Sequence, residues 1–157
     1  GQHRPVHPVH RLDREVPGVV LVAHSRDAAR RFSVLFRNRK VIKKYRAEIL
    51  GTLAEHRSPG QIDWPLDGKP ALTEYSVVKY SPDRTTTSVD IKLITGRRHQ
   101  LRRHFDLIGH PIIGDPLYGM GNKNPNGLKL TAVSLEFCCP FSGRETKFSI
   151  QKEHYWT

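Results

Sequence analysis

The chain has 157 residues, a length that fits one domain and lets a folded domain bury roughly two-thirds of the surface its unfolded form exposes. It carries 26 Lys and Arg against 15 Asp and Glu, a formal charge of +11, so its expected partners are polyanions, structured RNA or DNA first. No run approaches 18 apolar residues and no basic helix has a continuous apolar face, which argues against a membrane span or a membrane-surface helix.

Along the chain, the first fifteen residues read as loop, broken by Pro5 and Pro8. Gly18 to Ala23 (GVVLVA) is almost wholly apolar and predicts a short buried strand. Ser25 is placed to cap a helix from Arg26, with Ala28, Phe32, Leu35 and Phe36 as its apolar stripe and Arg30, Arg31, Arg37 and Arg39 facing solvent or ligand. Val41 to Leu50 alternates: Tyr45, Ala47 and Ile49 share one face, Lys44, Arg46 and Glu48 the other. Gly51 ends that strand. Thr52 to Lys69, rich in Pro and Gly, predicts a long loop with room for a short helix or strand.

Leu72 to Tyr80 and Ser88 to Thr95 are strand candidates joined by the turn signal Ser81-Pro82-Asp83. Gly96 stops the second. Arg98 to Ile108 predicts a helix, because Leu101, Phe105 and Ile108 form one stripe, with Gly109 at its end. Pro111 to Gly121 is a glycine-rich loop. Thr131 to Phe137 alternates again, and Pro140 to Gly143 turns the chain into a last strand near Glu145 to Ile150. The order predicts an α+β domain: a mixed, largely antiparallel sheet with helices mainly on one side.

Two polar clusters stand out. In His10-Arg11-Leu12-Asp13-Arg14, Asp13 has a cationic residue on each side, and one facing guanidinium would hold the carboxylate charged and oriented. From residues alone, that carboxylate is a nucleophile, a base or a structural ion-pair partner. Thr95 to His104 packs four arginines and two histidines around a helix start, a place that draws phosphate or is a solvated face. Metal is not expected, since carboxylates near those histidines are missing. The adjacent pair Cys138 and Cys139 supports neither a disulfide framework nor a zinc site and suits a reducing intracellular setting, the cytoplasm first, with organelle and nucleus open. No glycine pattern for nucleotide phosphates is present, so no cofactor is expected.

Taken together, the blocks HRLDREVPGVVLVA, VIKKYRAEILG, DGKPALTEYSVV and LITGRRHQLRRHFDLIGHPIIGDPLYG, in that order, resemble the pseudouridine synthases of ribosomal and transfer RNA, in the branch with an HRLD block. The likeness covers roughly His10 to Phe137, and HQLRRH is similar to the branch acting on the tRNA acceptor stem. It implies an isomerase of RNA uridines that needs no cofactor, with Asp13 as the catalytic aspartate. Tyr45 is implied as the tyrosine beside the base and Arg102 as the cation that pairs with the aspartate. Arg11 is implied as the residue entering the RNA stack where the uridine has flipped out. Lys40, Lys43, Lys44, Arg46, Arg97, Arg98 and Arg103 are the broader candidates for RNA contact.

Two features depart from the family's pattern. Its HRLD block continues into Thr-Ser-Gly, where this chain has Val16-Pro17-Gly18, so two hydroxyls and one backbone donor are gone. Family members also have more chain ahead of the block, so residues 1–157 are expected to be a single catalytic domain shortened at its N-terminus, or a fragment of one. The competing readings are an RNA-binding module without catalysis and a ribosome-associated structural protein.

Overall fold

The computed structural model describes residues 3–155. Its centre is a six-stranded sheet in the order β4-β5-β6-β3-β7-β8. The strands are β3 (Ile42–Leu50), β4 (Gly60–Asp63), β5 (Leu72–Tyr80), β6 (Thr86–Leu93), β7 (Leu130–Cys138) and β8 (Glu145–Ser149). Every neighbouring pair is antiparallel. A two-stranded ribbon, β1 (His7–Pro8) with β2 (Val22–Ala23), lies apart from it.

Sequence alternation decides the two faces. Tyr45 is opposite Ile91, and Ile91 opposite Tyr75, so these side chains share one face. They join Ala47, Ile49, Val89 and Ala132 in the main core. The other face carries the interleaved charges as ion pairs: Lys44 with Glu136, Arg46 with Asp90, Lys92 with Glu74. A sheet with one apolar face needs a cover on that side only, and two helices provide it. Helix α2 (Gln100–Leu107) places Leu101 and Phe105 against the main core, with the Phe105 ring 5.7 Å from that of Tyr75. Helix α1 (Arg26–Arg37) brings Phe32, Leu35 and Phe36 onto Val41, Leu135 and Phe137. The Ser25 hydroxyl accepts from the Ala28 amide at 3.1 Å, and Asp27 sits in the first turn, which together fix where α1 begins.

The predicted strand at Gly18 to Ala23 is corrected. One side of β7 is taken by β3, and the other by β8 as far as Ser134. Only the edge at Ala132 is left, and it receives a single parallel bridge from Gly18. Beyond it the chain stays extended but leaves the sheet. Val19 and Leu21 pack on α1, Val20 and Val22 face outward, and Val22–Ala23 pairs with β1 instead. An apolar run satisfied by a helix looks the same in sequence as one satisfied by a strand.

Smaller shifts have local causes. The second helix begins at Gln100 rather than Arg98 because His99 adopts a left-handed backbone, φ 51°. Strand β6 runs Thr86–Leu93, leaving Thr95 free to build the turn into α2. The stretch Thr52 to Lys69 is loop, with a 3-10 turn at Glu55–Arg57 and the short edge strand β4.

Candidate active site

The loop bearing Asp13 has no regular structure and is held at three points. The His10 ring stacks on Phe36, centroids 4.4 Å apart, and accepts from the Leu21 amide at 2.8 Å through Nε2. Burial, with the charge of Lys43 second, brings its pKa down to about 4, so the imidazole is neutral and that nitrogen is an acceptor. Leu12 and Val16 insert into the main core, and the Val16 amide closes a turn onto the Asp13 carbonyl at 2.9 Å. Asp13 is left on the exposed side of the loop, facing a cavity of about 1070 Å³.

The Val16-Pro17 departure is absorbed by this arrangement. Val16 fills apolar core, where a hydroxyl would need a partner. Pro17 contributes only its carbonyl, which accepts from the Ala132 amide at 2.9 Å, while the donor back to Ala132 is the Val19 amide. The N–H that proline lacks is not used. Gly18 is the constrained position: its φ is +133°, and a Cβ there would lie 2.1 Å from the Ala132 carbonyl oxygen.

Tyr45 enters the cavity from β3, beside a bulge in the β3–β7 ladder that leaves Val133 without a partner between Lys44 and Tyr45. It is 8% exposed. Burial first, then the nearby charge of Asp13, push its phenol well above the usual tyrosine range, so it stays protonated.

Arg102 comes from α2 and is fully buried. Its Nε and Nη2 donate to Asp115 at 2.7 and 2.8 Å, its Nη1 to Glu15 at 3.2 Å, and Nη1 meets Asp13 Oδ2 at 3.9 Å. The guanidinium therefore belongs to a cluster of three carboxylates, with Asp115 as its principal partner. Burial opposes charge on the Asp115 carboxyl, but Arg102 and the amides of Leu117 and Tyr118 outweigh it and hold its pKa below the usual value. The Tyr118 ring lies 5.4 Å from the guanidinium carbon, and its hydroxyl is 3.1 Å from His99. Helix α2 is itself anchored by Gln100, whose buried amide makes four hydrogen bonds: two accepted, from the Thr95 hydroxyl and the Arg97 amide, and two donated, to the Leu72 carbonyl and the Thr73 hydroxyl.

The expected residues divide. Arg11, Asp13, Tyr45, Lys43, Arg97 and Arg98 line the cavity, as does the rim of Lys44, whose ammonium is 3.0 Å from Glu136. Arg102 stands behind it through its contacts to Asp13 and Glu15. Arg46 pairs with Asp90 at 2.7 Å on the opposite sheet face, Arg103 makes a bidentate pair with Asp67, and Lys40 does not line the cavity. Arg14, Arg37 and Arg39 line it without having been singled out as RNA contacts. His104 has one ring nitrogen on the Thr73 hydroxyl and the other on the Trp64 carbonyl, both at 2.9 Å, so neither is open to a metal. Asp115, Glu15 and Gln100 were missed. The only sequence signal for Asp115 was its place in the GDPLYG run.

A cavity with a carboxylate, a protonated phenol and a cationic rim on an antiparallel sheet defines a class that comparison with known proteins identifies. The family model described as RNA pseudouridylate synthase matches residues 1–107, and the chain belongs to that family. It is 42% identical to the dual-specificity RNA pseudouridine synthase RluA of Escherichia coli (strain K12), covering 70% of this chain and 56% of that protein. It is 35% identical to an uncharacterized RNA pseudouridine synthase of Aquifex aeolicus (strain VF5), covering 92% of this chain and 52% of that one. The chain thus spans about half the length of these relatives. Among solved structures, human RNA pseudouridylate synthase domain containing 1 superposes with a TM-score of 0.83 at 26% identity, covering 94% of this chain and 69% of that one. Human RNA pseudouridylate synthase domain containing 4 gives 0.80 at 26% identity, covering 97% and 73%.

Proposed function

We propose that this chain isomerises uridine to pseudouridine in structured RNA, tRNA or rRNA, with Asp13 as the reacting carboxylate. The reaction breaks the bond from N1 to the ribose C1′, turns the freed uracil, joins C5 to C1′, releases the C5 proton to solvent and protonates N1, so the nucleotide's composition is unchanged. Atoms and electrons balance within one nucleotide, so the chemistry asks for a placed carboxylate and a shaped pocket rather than an external reagent.

The observation that carries the reading is the position of Asp13, 3.9 Å from a guanidinium whose stronger bonds go elsewhere. A carboxylate held by several short hydrogen bonds has its lone pairs engaged. Asp13 instead has a fixed positive charge nearby and oxygen atoms open to the cavity, as attack at C1′, or assistance to a ribose intermediate, requires. Tyr45 supplies a surface for the base and a hydroxyl donor. Burial keeps its phenol protonated in the free protein, where the hydroxyl is a donor toward the base. Arg11, on the loop with Asp13, fills the space in the RNA stack left by the extruded nucleotide, and cationic side chains around the rim meet phosphates.

The test is to incubate the chain with transcribed tRNA and rRNA fragments and map pseudouridine at nucleotide resolution. New pseudouridine at defined positions supports the reading; RNA that binds but gains none overturns it.

A further inference from the structure

The cationic side chains near the cavity fall into two kinds. Lys44, Arg46, Arg102 and Arg103 have carboxylate partners. Lys43 does not. It stands two residues before Tyr45 on the same face of β3, half-buried in the cavity wall, and among the described residues it has no salt bridge or side-chain hydrogen bond. Its ammonium lies over the turn at Gly96, 3.5 Å from where a Cβ would stand. The charge acting on it is that of Arg39, from the turn after α1, and it in turn acts on the neutral ring of His10. Arg39 adopts φ 56° and also lines the cavity.

A desolvated ammonium beside a second cation is unfavourable in the free protein. An arriving anion would compensate it. The carboxylates of Asp13, Glu15 and Asp115 are gathered on Arg102, and no carboxylate among the described residues pairs with Lys43. We infer that Lys43, with Arg39, forms a seat for a backbone phosphate of the extruded nucleotide itself, as distinct from phosphates elsewhere along the RNA. This rests on the uridine-isomerase reading and assigns the cavity's two ends: the base lies toward Tyr45 and Leu101, and the phosphate toward Lys43 and the Gly96 turn.

The test uses the full chain and needs no turnover. Binding of uridine 3′,5′-bisphosphate and of uridine is measured for wild type, Lys43→Met, Lys43→Arg and, as a surface control far from the cavity, Lys79→Met. Wild type and Lys79→Met should prefer the bisphosphate by about tenfold or more, Lys43→Met should lose most of that preference, and Lys43→Arg should restore part of it. With a tRNA transcript, the salt dependence of log Kd for Lys43→Met should fall by about one phosphate's worth. The thermal midpoint of Lys43→Met should be unchanged or higher, because an uncompensated charge has been removed. A lowered midpoint would make Lys43 structural, and either an unchanged preference in Lys43→Met or no preference in wild type would overturn the seat. If the bisphosphate preference holds while no pseudouridine forms in any RNA, the seat stands and the enzymatic reading falls.

Discussion

Arg102 grips Asp115 through two hydrogen bonds of 2.7 and 2.8 Å, and it meets Asp13 on its remaining edge at 3.9 Å. The buried pair is the tighter contact, and Asp13 is held only loosely beside it. Arg102 and Asp115 are both buried, so removing one partner strands the other. Asp115→Asn should destabilise the fold by about 3–5 kcal/mol and lower activity more than RNA affinity, checked by urea unfolding and steady-state kinetics. The Asp115 pKa is depressed on folding, so its contribution is complete above the ordinary Asp range near about 4 and is lost as pH falls through the folded value. An acid titration of stability should therefore be shallower in Asp115→Asn than in wild type.

His10 gives a second pH dependence of the same sign. Its folded pKa, about 4, lies below the unfolded value of 6.5. The stability it contributes is present in full above 6.5 and declines as pH falls toward 4. Charging the ring removes the acceptor for the Leu21 amide and frees the loop that bears Asp13. Amide exchange at Leu21 should accelerate across that interval, and His10→Phe, which keeps the stack on Phe36, should remove the dependence.

Tyr45 gives the opposite sign. Its phenol pKa is raised on folding, so stability is complete below about pH 10 and is lost as pH rises beyond it. Tyr45→Phe should flatten the alkaline decline in unfolding free energy. Tyr45→Phe keeps the ring beneath the base and should retain more activity than Tyr45→Ala, which leaves a cavity and removes that surface. Equal losses in the two variants would assign the hydroxyl the larger role.

At Gly18 the backbone of the Asp13 loop lies against β7 closely enough that a methyl group would overlap the Ala132 carbonyl. Gly18→Ala should destabilise by on the order of 3 kcal/mol, from overlap and a disfavoured φ together. Thermal melts would show it, with activity falling in parallel as the loop is displaced.

How much of this could be read from residues varies with the type of interaction. The alternation at Tyr45, Ala47 and Ile49 placed β3 and its faces correctly because period-2 patterning is a property of the strand itself. Ser25 marked the start of α1 for a similarly local reason. Gly18 to Ala23 misled because its apolar residues are covered by α1 while its edge partner, Ala132, has room for one bridge; both facts concern residues far away in sequence. The blocks that resemble the family pointed to Asp13, Tyr45 and Arg102, and the fold brings Asp13 and Tyr45 to one cavity with Arg102 behind it. Asp115 and Gln100 were not legible, since a buried ion pair and a four-bonded amide are visible only once α2, β5 and the 111–121 loop are assembled. Arg46 and Arg103 looked like free cations until Asp90 and Asp67 folded against them.

On the proposed reading, Asp13 acts on the ribose of a uridine held over Tyr45. Joining C5 to C1′ displaces the C5 hydrogen, so RNA carrying tritium at uridine C5 reports the reaction as label released to water. Wild type should release label and Asp13→Asn should release none, with RNA affinity in the two proteins equal within about twofold, an energetic difference small beside any contact of consequence. Sustained release by Asp13→Asn at matched binding would contradict that reading.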